Sequence, residues 1–163
     1  MHGGDIYRNQ VRLDFSVNTN PYGIPDKIRA ALQEAVEEAV CYPDLKAEKL
    51  HQAVSRMSGV DRQHIVCGNG ASELFMALIA SEQPREILLP VPSFSGYVWA
   101  AGSCKIRTYP MKEENGFVLD DGIFHEITEE TDLILLANPN NPVGNMVPQE
   151  LLKRLLAITD QKG

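Results

Sequence analysis

Cysteine is scarce in this chain: Cys41, Cys67 and Cys104 are the only three among 163 residues, far apart and without C-x-x-C spacing. That excludes a disulfide framework and gives no support to a zinc site, so they are expected as small core residues in a reducing compartment. Positive charge is also short. Fifteen Lys and Arg stand against 22 Asp and Glu, a net charge of -7, which disfavours a nucleic-acid partner because phosphate binding needs a basic face. No apolar run approaches the roughly 18 residues of a spanning helix. The start, MHGGDIYRNQVRLDFS, carries no apolar segment behind a basic one, so neither a membrane span nor a leader is expected and the chain reads as cytoplasmic. Repeats and low-complexity tracts are absent too. With 44% apolar and 23% charged residues, what remains is an ordinary globular composition, long enough to bury a core of its own.

Periodicity supplies the elements. Asp26 to Val40 places Ile28, Leu32, Ala35, Val36, Ala39 and Val40 on one stripe, which predicts a helix with one buried face, started by Pro25 and Asp26. A second helix is predicted from Lys46 to about Met57, stopped by Gly59. From there strand and helix alternate. Strands are predicted at His64–Cys67, Glu86–Leu89, Lys105–Tyr109 and Asp132–Ala137. Helices are predicted at Glu73–Ala80, Gly96–Ala101, Ile123–Ile127 and Pro148–Thr159, and the polar residues 112–122 read as loop. Alternation of this kind implies an α/β fold, a mostly parallel sheet with helices on both faces in three α/β/α layers. Ligands of such sheets bind beyond the carboxyl ends of the strands.

Three loops follow predicted strands, 68-GNGAS-72, 90-PVPSF-94 and 138-NPNNPVG-144, and are expected to meet at one edge. The first opens a helix, so its N–H groups and the helix dipole suit an anion such as phosphate; a glycine turn made only for packing is the alternative. Phe94 offers a flat ring for stacking on a flat ligand, or a core aromatic. Asn141, set between two prolines, offers a fixed amide donor, or a turn residue. His51, His64 and His125 lack a nucleophile nearby in sequence and read as surface or satisfied core. The pairs Glu37–Glu38 and Glu129–Glu130 read as solvated.

Phosphate loop, ring and amide in this order resemble fold-type-I pyridoxal-phosphate enzymes of the class I/II aminotransferase kind. NPNNPVG is similar to that family's NPNNPTG, with Val143 in place of Thr, and 67-CGNGASEL-74 is similar to its phosphate-loop segment. His2-Gly3-Gly4, 14-DFSVNTNPYGIP-25 and 42-YPD-44 resemble the threonine-phosphate decarboxylases of cobalamin biosynthesis. Their relatives, the histidinol-phosphate aminotransferases, share the N-x-N-P-Y-G and Y-P patterns. The resemblance implies pyridoxal 5'-phosphate as cofactor, its phosphate on Gly70, Ala71 and Ser72, its ring under Phe94 and its 3-hydroxyl at Asn141. It further implies that Tyr42 reaches the phosphate of a neighbouring subunit, hence a homodimer. Asn20, with His2, Gly3 and Gly4, would line the side that takes a small amino-acid or amino-phosphate substrate. The implied division is an N-terminal arm and helical segment, 1–45, and the first part of the cofactor-binding large domain, 46–163.

The same resemblance places the Schiff-base lysine, and the aspartate that faces the pyridine nitrogen, beyond Gly163. None of the seven lysines stands in the family's lysine context. A 163-residue chain is therefore expected to bind the cofactor poorly and to catalyse nothing, whereas a longer parent would be an enzyme. A non-catalytic phosphate-binding module is the reading from another class.

Overall fold

The computed structural model describes residues 4–162, and these fall into two compact units that divide between Cys67 and Gly68.

The first unit holds α1 (Asp26–Glu38) and α2 (Glu48–Ser58). Asp44 accepts from the N–H groups of Lys46 and Glu48 at 3.0 and 2.9 Å, which satisfies donors that the start of α2 leaves open. Gly59 closes α2 as expected. Two expectations fail here. The stripe of α1 is not buried: Ile28, Leu32 and Val36 are 53%, 56% and 66% exposed, because amphipathic spacing shapes a helix but packing depends on what lies against it. His64–Cys67 is not a strand. His64 ends a 3-10 turn (Arg62–His64), and Ile65 is extended without joining a ladder; extended backbone becomes a strand only when a neighbour takes its hydrogen bonds.

The second unit is a three-stranded parallel sheet in the order β2-β1-β3, from β1 (Glu86–Val91), β2 (Lys105–Pro110) and β3 (Thr131–Ile134). β1 is paired on both sides, and consecutive side chains enter different cores. Ile87 and Leu89 join Ile79, Tyr97, Ala101 and Leu135 on one face. Leu88 joins Tyr109, Met111, Leu119, Ile123, Leu151 and Leu155 on the other. A strand buried on both faces has no polar alternation to show, so after Glu86 the strand reads as an unbroken apolar run, ILLPV. The first face is covered by α3 (Ala71–Glu82) and α4 (Gly96–Ala101), the second by α5 (Gln149–Lys162) and the 3-10 segment Asp121–Glu126. This is the expected three-layer α/β arrangement.

β3 ends sooner than its apolar run suggests, although the N–H of Leu135 still donates to the carbonyl of Leu88 at 3.0 Å. Its register slips between the partners of Glu86 and Ile87, so that Glu86 faces Thr131, Ile87 faces Leu133 and Asp132 has no partner on β1. Freed in this way, Asp132 takes the Arg85 guanidinium with both oxygens, at 2.9 and 3.0 Å. The beginning of β1 holds a charge in the core. Glu86, fully buried, accepts from Arg107 Nε at 2.9 Å, from Thr131 at 3.1 Å and from Thr128 at 3.2 Å, and pairs with Lys105 Nζ at 2.9 Å. A buried carboxylate is tolerable only when its oxygens are satisfied in this manner. Among the cysteines, Cys104 packs against the core as expected, but Cys41 is exposed.

Candidate functional site

Of the three loops singled out by sequence, 90–94 takes its first two residues from the end of β1, and 138–144 begins four residues after β3 ends rather than directly behind it. The third, 68–72, follows the extended residues after His64 and opens α3. Gly70 precedes that helix with φ 82 and ψ 172, a backbone region that essentially only glycine enters. The N–H of Gly70 turns back to the carbonyl of Gly68, and that of Asn69 donates to the Glu73 carboxylate. Among the described residues the N–H groups of Ala71 and Ser72 make no hydrogen bond, as expected of a first helical turn, and Ser72 is exposed. Donors and helix dipole therefore offer an anion two free N–H groups and a hydroxyl.

Phe94 follows β1 and is half-buried. Its ring stands edge-on to Tyr97, centroids 5.7 Å apart at 89°, and Tyr97 stands edge-on to Phe75 at 4.7 Å and 65°. Edge-to-face packing of this kind fixes ring orientation. Phe75 is three residues beyond Ser72 on α3, so the helix of the first loop and the ring of the second share one aromatic cluster. A side chain at Gly96 would collide with the Phe94 ring: a Cβ there would lie 2.2 Å from Cε1.

The turn 138–144 separates its two adjacent amides. Asn140, half-buried, has every polar group engaged. Its N–H donates to the Asn145 carbonyl at 2.7 Å, its carbonyl accepts from Gly144 N–H at 2.7 Å, its Oδ1 accepts from Val143 N–H at 3.1 Å, and its Nδ2 donates to the Pro92 carbonyl at 3.2 Å. Asn138 Oδ1 accepts from Val147 N–H at 2.9 Å. Asn141 is exposed, and its amide makes no hydrogen bond among the described residues. Peptide bonds 91–92, 138–139 and 141–142 are cis. A cavity of about 20 Å³ lies below, lined by Pro90, Ser93, Met111, Leu135, Asn140 and Asn145 among others. That is room for one water molecule and nothing larger, so any sizeable ligand would lie on the rim.

The structure thus joins the turn of Asn141 to the loop of Phe94 directly, and Ser72's helix to Phe94 through Phe75 and Tyr97. Asn20, Tyr42 and Gly4 belong to the first unit. Tyr42 is 86% exposed. Asn20 closes a turn, Nδ2 donating to the Gly23 carbonyl at 2.7 Å and Oδ1 accepting from Tyr22 N–H at 3.1 Å. Gly4 N–H donates to Ser16 Oγ at 2.9 Å. His2 and Gly3 lie outside the described residues. Reading the sequence alone missed Asn140, Tyr97 and Gly96; the doubled amide at 140–141 was the one available signal. Among the described residues no His, Cys, Asp or Glu cluster could hold a metal, and no helix is long and apolar enough to cross a membrane.

A parallel sheet with helices on both faces, the loop of Phe94 bonded to the turn of Asn141, has close counterparts. The family described as aminotransferase class I and II matches residues 11–163, and the chain belongs to that family. It is 34% identical to a threonine-phosphate decarboxylase of Salmonella typhimurium over 88% of this chain and 40% of that protein. It is 33% identical to a histidinol-phosphate aminotransferase of Methanococcus maripaludis, again over 88% and 40%. The crystal structure of the histidinol-phosphate aminotransferase from Clostridium acetobutylicum superposes with a TM-score of 0.78 at 26% identity, over 91% of this chain and 44% of that one. The chain spans about 40% of the length of the curated relatives it matches.

Proposed function

We propose that the protein containing this chain is a pyridoxal-phosphate-dependent enzyme acting on a phosphorylated amino acid, a threonine-phosphate decarboxylase in type. The observation that carries the reading is the division of labour between Asn140, fully bonded, and Asn141, exposed and unbonded. A turn that makes four hydrogen bonds to Asn140, two through its backbone and two through its amide, presents the neighbouring amide as a fixed donor. Gly70, Ala71 and Ser72 would take the cofactor phosphate, Phe94 would lie against its ring, and Asn141 would donate to its 3-oxygen. When bound, the cofactor supplies an electron sink for the substrate's α-carbon. The chain's own residues orient it. The N–H groups of Ala71 and Ser72 and the dipole of α3 hold a dianion without needing a basic side chain, and Phe94, half-buried, keeps water from one ring face.

The high exposure of Tyr42 leaves it available to a second subunit, which supports a homodimer, and Asn20 with His2, Gly3 and Gly4 would line the substrate side. The division into 1–45 and 46–163 goes with this reading. A histidinol-phosphate aminotransferase is the second reading, favoured by identities nearly equal to those with the decarboxylase.

The test is to express the chain together with whatever continues its reading frame beyond Gly163 and to add pyridoxal 5'-phosphate and threonine phosphate. Release of carbon dioxide supports the decarboxylase. Turnover of histidinol phosphate that requires 2-oxoglutarate and releases none supports the transaminase, and no cofactor-dependent turnover of either leaves a binding module.

A further inference from the structure

We infer that Asn140 is a positioning residue that couples the loop of Phe94 to the turn of Asn141, so that the ring face and the ring oxygen of a bound cofactor are fixed relative to each other by one side chain. The inference rests on the pyridoxal-phosphate reading of those two residues, and it concerns a third that touches neither cofactor nor substrate.

Two bonds carry it. Asn140 Oδ1 accepts from Val143 N–H at 3.1 Å, which closes the turn around Asn141. Asn140 Nδ2 donates to the carbonyl of Pro92 at 3.2 Å, 48 residues away in sequence and two residues before Phe94. The backbone bonds of Asn140 to Asn145 and Gly144 anchor its Cα, so the side chain has little freedom to adjust. The bond to Pro92 ties the 138–144 turn to the 90–94 loop. The phosphate loop at Gly70–Ser72 is not bonded to Asn140. Losing the Pro92 bond should therefore loosen the grip on the ring and leave the grip on the phosphate as it was.

The chemistry of the amide allows the two bonds to be separated. In Asn140→Asp one carboxylate oxygen still accepts from Val143 N–H, while the other faces the Pro92 carbonyl with no proton to give. In Asn140→Ser the hydroxyl can still accept from Val143 as a short side-chain turn but does not reach Pro92. The second variant serves where the new charge itself disturbs folding.

The experiment takes the chain together with whatever continues its reading frame beyond Gly163, and both variants of it, and titrates each with pyridoxal 5'-phosphate and separately with inorganic phosphate, with thermal unfolding as a check on folding. Both variants are expected to bind pyridoxal phosphate about tenfold more weakly, the scale of one lost hydrogen bond at a held site, with phosphate affinity unchanged. Equal loss for both ligands would mark a general loosening and overturn the inference, as would wild-type affinity for pyridoxal phosphate in either folded variant. If the wild-type protein extended past Gly163 binds pyridoxal phosphate no better than phosphate, the cofactor reading fails, and backbone ¹⁵N relaxation then decides the coupling. Order parameters lowered at Ser93 and Phe94 but kept at Gly144 support it; no change at Ser93 and Phe94 overturns it.

Discussion

The ring of Phe94 lies on the bare Cα of Gly96, so closely that a Cβ there would approach Cε1 to 2.2 Å. Gly96 begins α4, where alanine would by itself favour the helix by roughly 1 kcal/mol, whereas crowding a packed ring costs about 1–3 kcal/mol. The clash is the larger effect. Gly96→Ala is expected to lower the melting temperature, alter the near-ultraviolet circular dichroism and weaken pyridoxal-phosphate binding. A stabilised variant with an unchanged aromatic spectrum would show that the ring has room to move.

Asn141 and stability should be separable. The residue is exposed and makes no hydrogen bond among the described residues, so Asn141→Ala should change stability by no more than about 0.5 kcal/mol while reducing affinity for pyridoxal 5'-phosphate. Titration of cofactor absorbance, on the protein extended past Gly163, beside a urea unfolding curve checks both halves. Undiminished binding would remove Asn141 from the site.

Acid should unfold the second unit through its ion pairs. Arg107, with Lys105, holds the Glu86 carboxyl down to about 2 from an ordinary value of 4.5, and Arg85 holds Asp132 down to about 2 from 3.8. The unfolded chain therefore binds more protons in that interval. The stabilising contribution is complete above about pH 5 and is lost as pH falls toward 2. Urea midpoints at pH 7 and pH 3 measure this, and Asp132→Asn should show a smaller drop between the two than the parent. An equal drop would mean that the pair contributes nothing to the acid transition.

The centre of β1 should be the least tolerant position. Leu88 is fully buried between the helical layer and the sheet, and Leu88→Ala is expected to cost about 2–5 kcal/mol, the range for truncating a core leucine. Calorimetry decides it, and a change below about 1 kcal/mol would mean that the layer closes over the gap.

Much of this fold could be read from residue spacing, and the failures have a common origin. α4 spans the residues expected for it, and α1, α2, α3 and α5 lie within a few residues of expectation, because periodicity and glycine or proline punctuation are local properties. His64–Cys67 and the stripe of α1 misled because pairing and burial depend on a partner that local sequence does not describe. β3 is shorter than its apolar run because burial makes Leu135 and Ala137 apolar whether or not their backbone stays in the ladder. At the candidate site, Asn141 stood out by its prolines. Asn140 did not, since nothing in N-N tells which amide holds and which is held; the bonds from Val143 at 3.1 Å and to Pro92 at 3.2 Å separate them.

Glu86 begins the same strand that Pro92 follows, so the ionic cluster and the amide turn occupy opposite ends of three parallel strands. The end that resists acid is thus remote from the end that would meet a ligand. Substitutions among Arg107, Lys105 and Thr131 can retune tolerance to heat and pH without reshaping the rim, leaving the rim to diverge in specificity on an unaltered foundation.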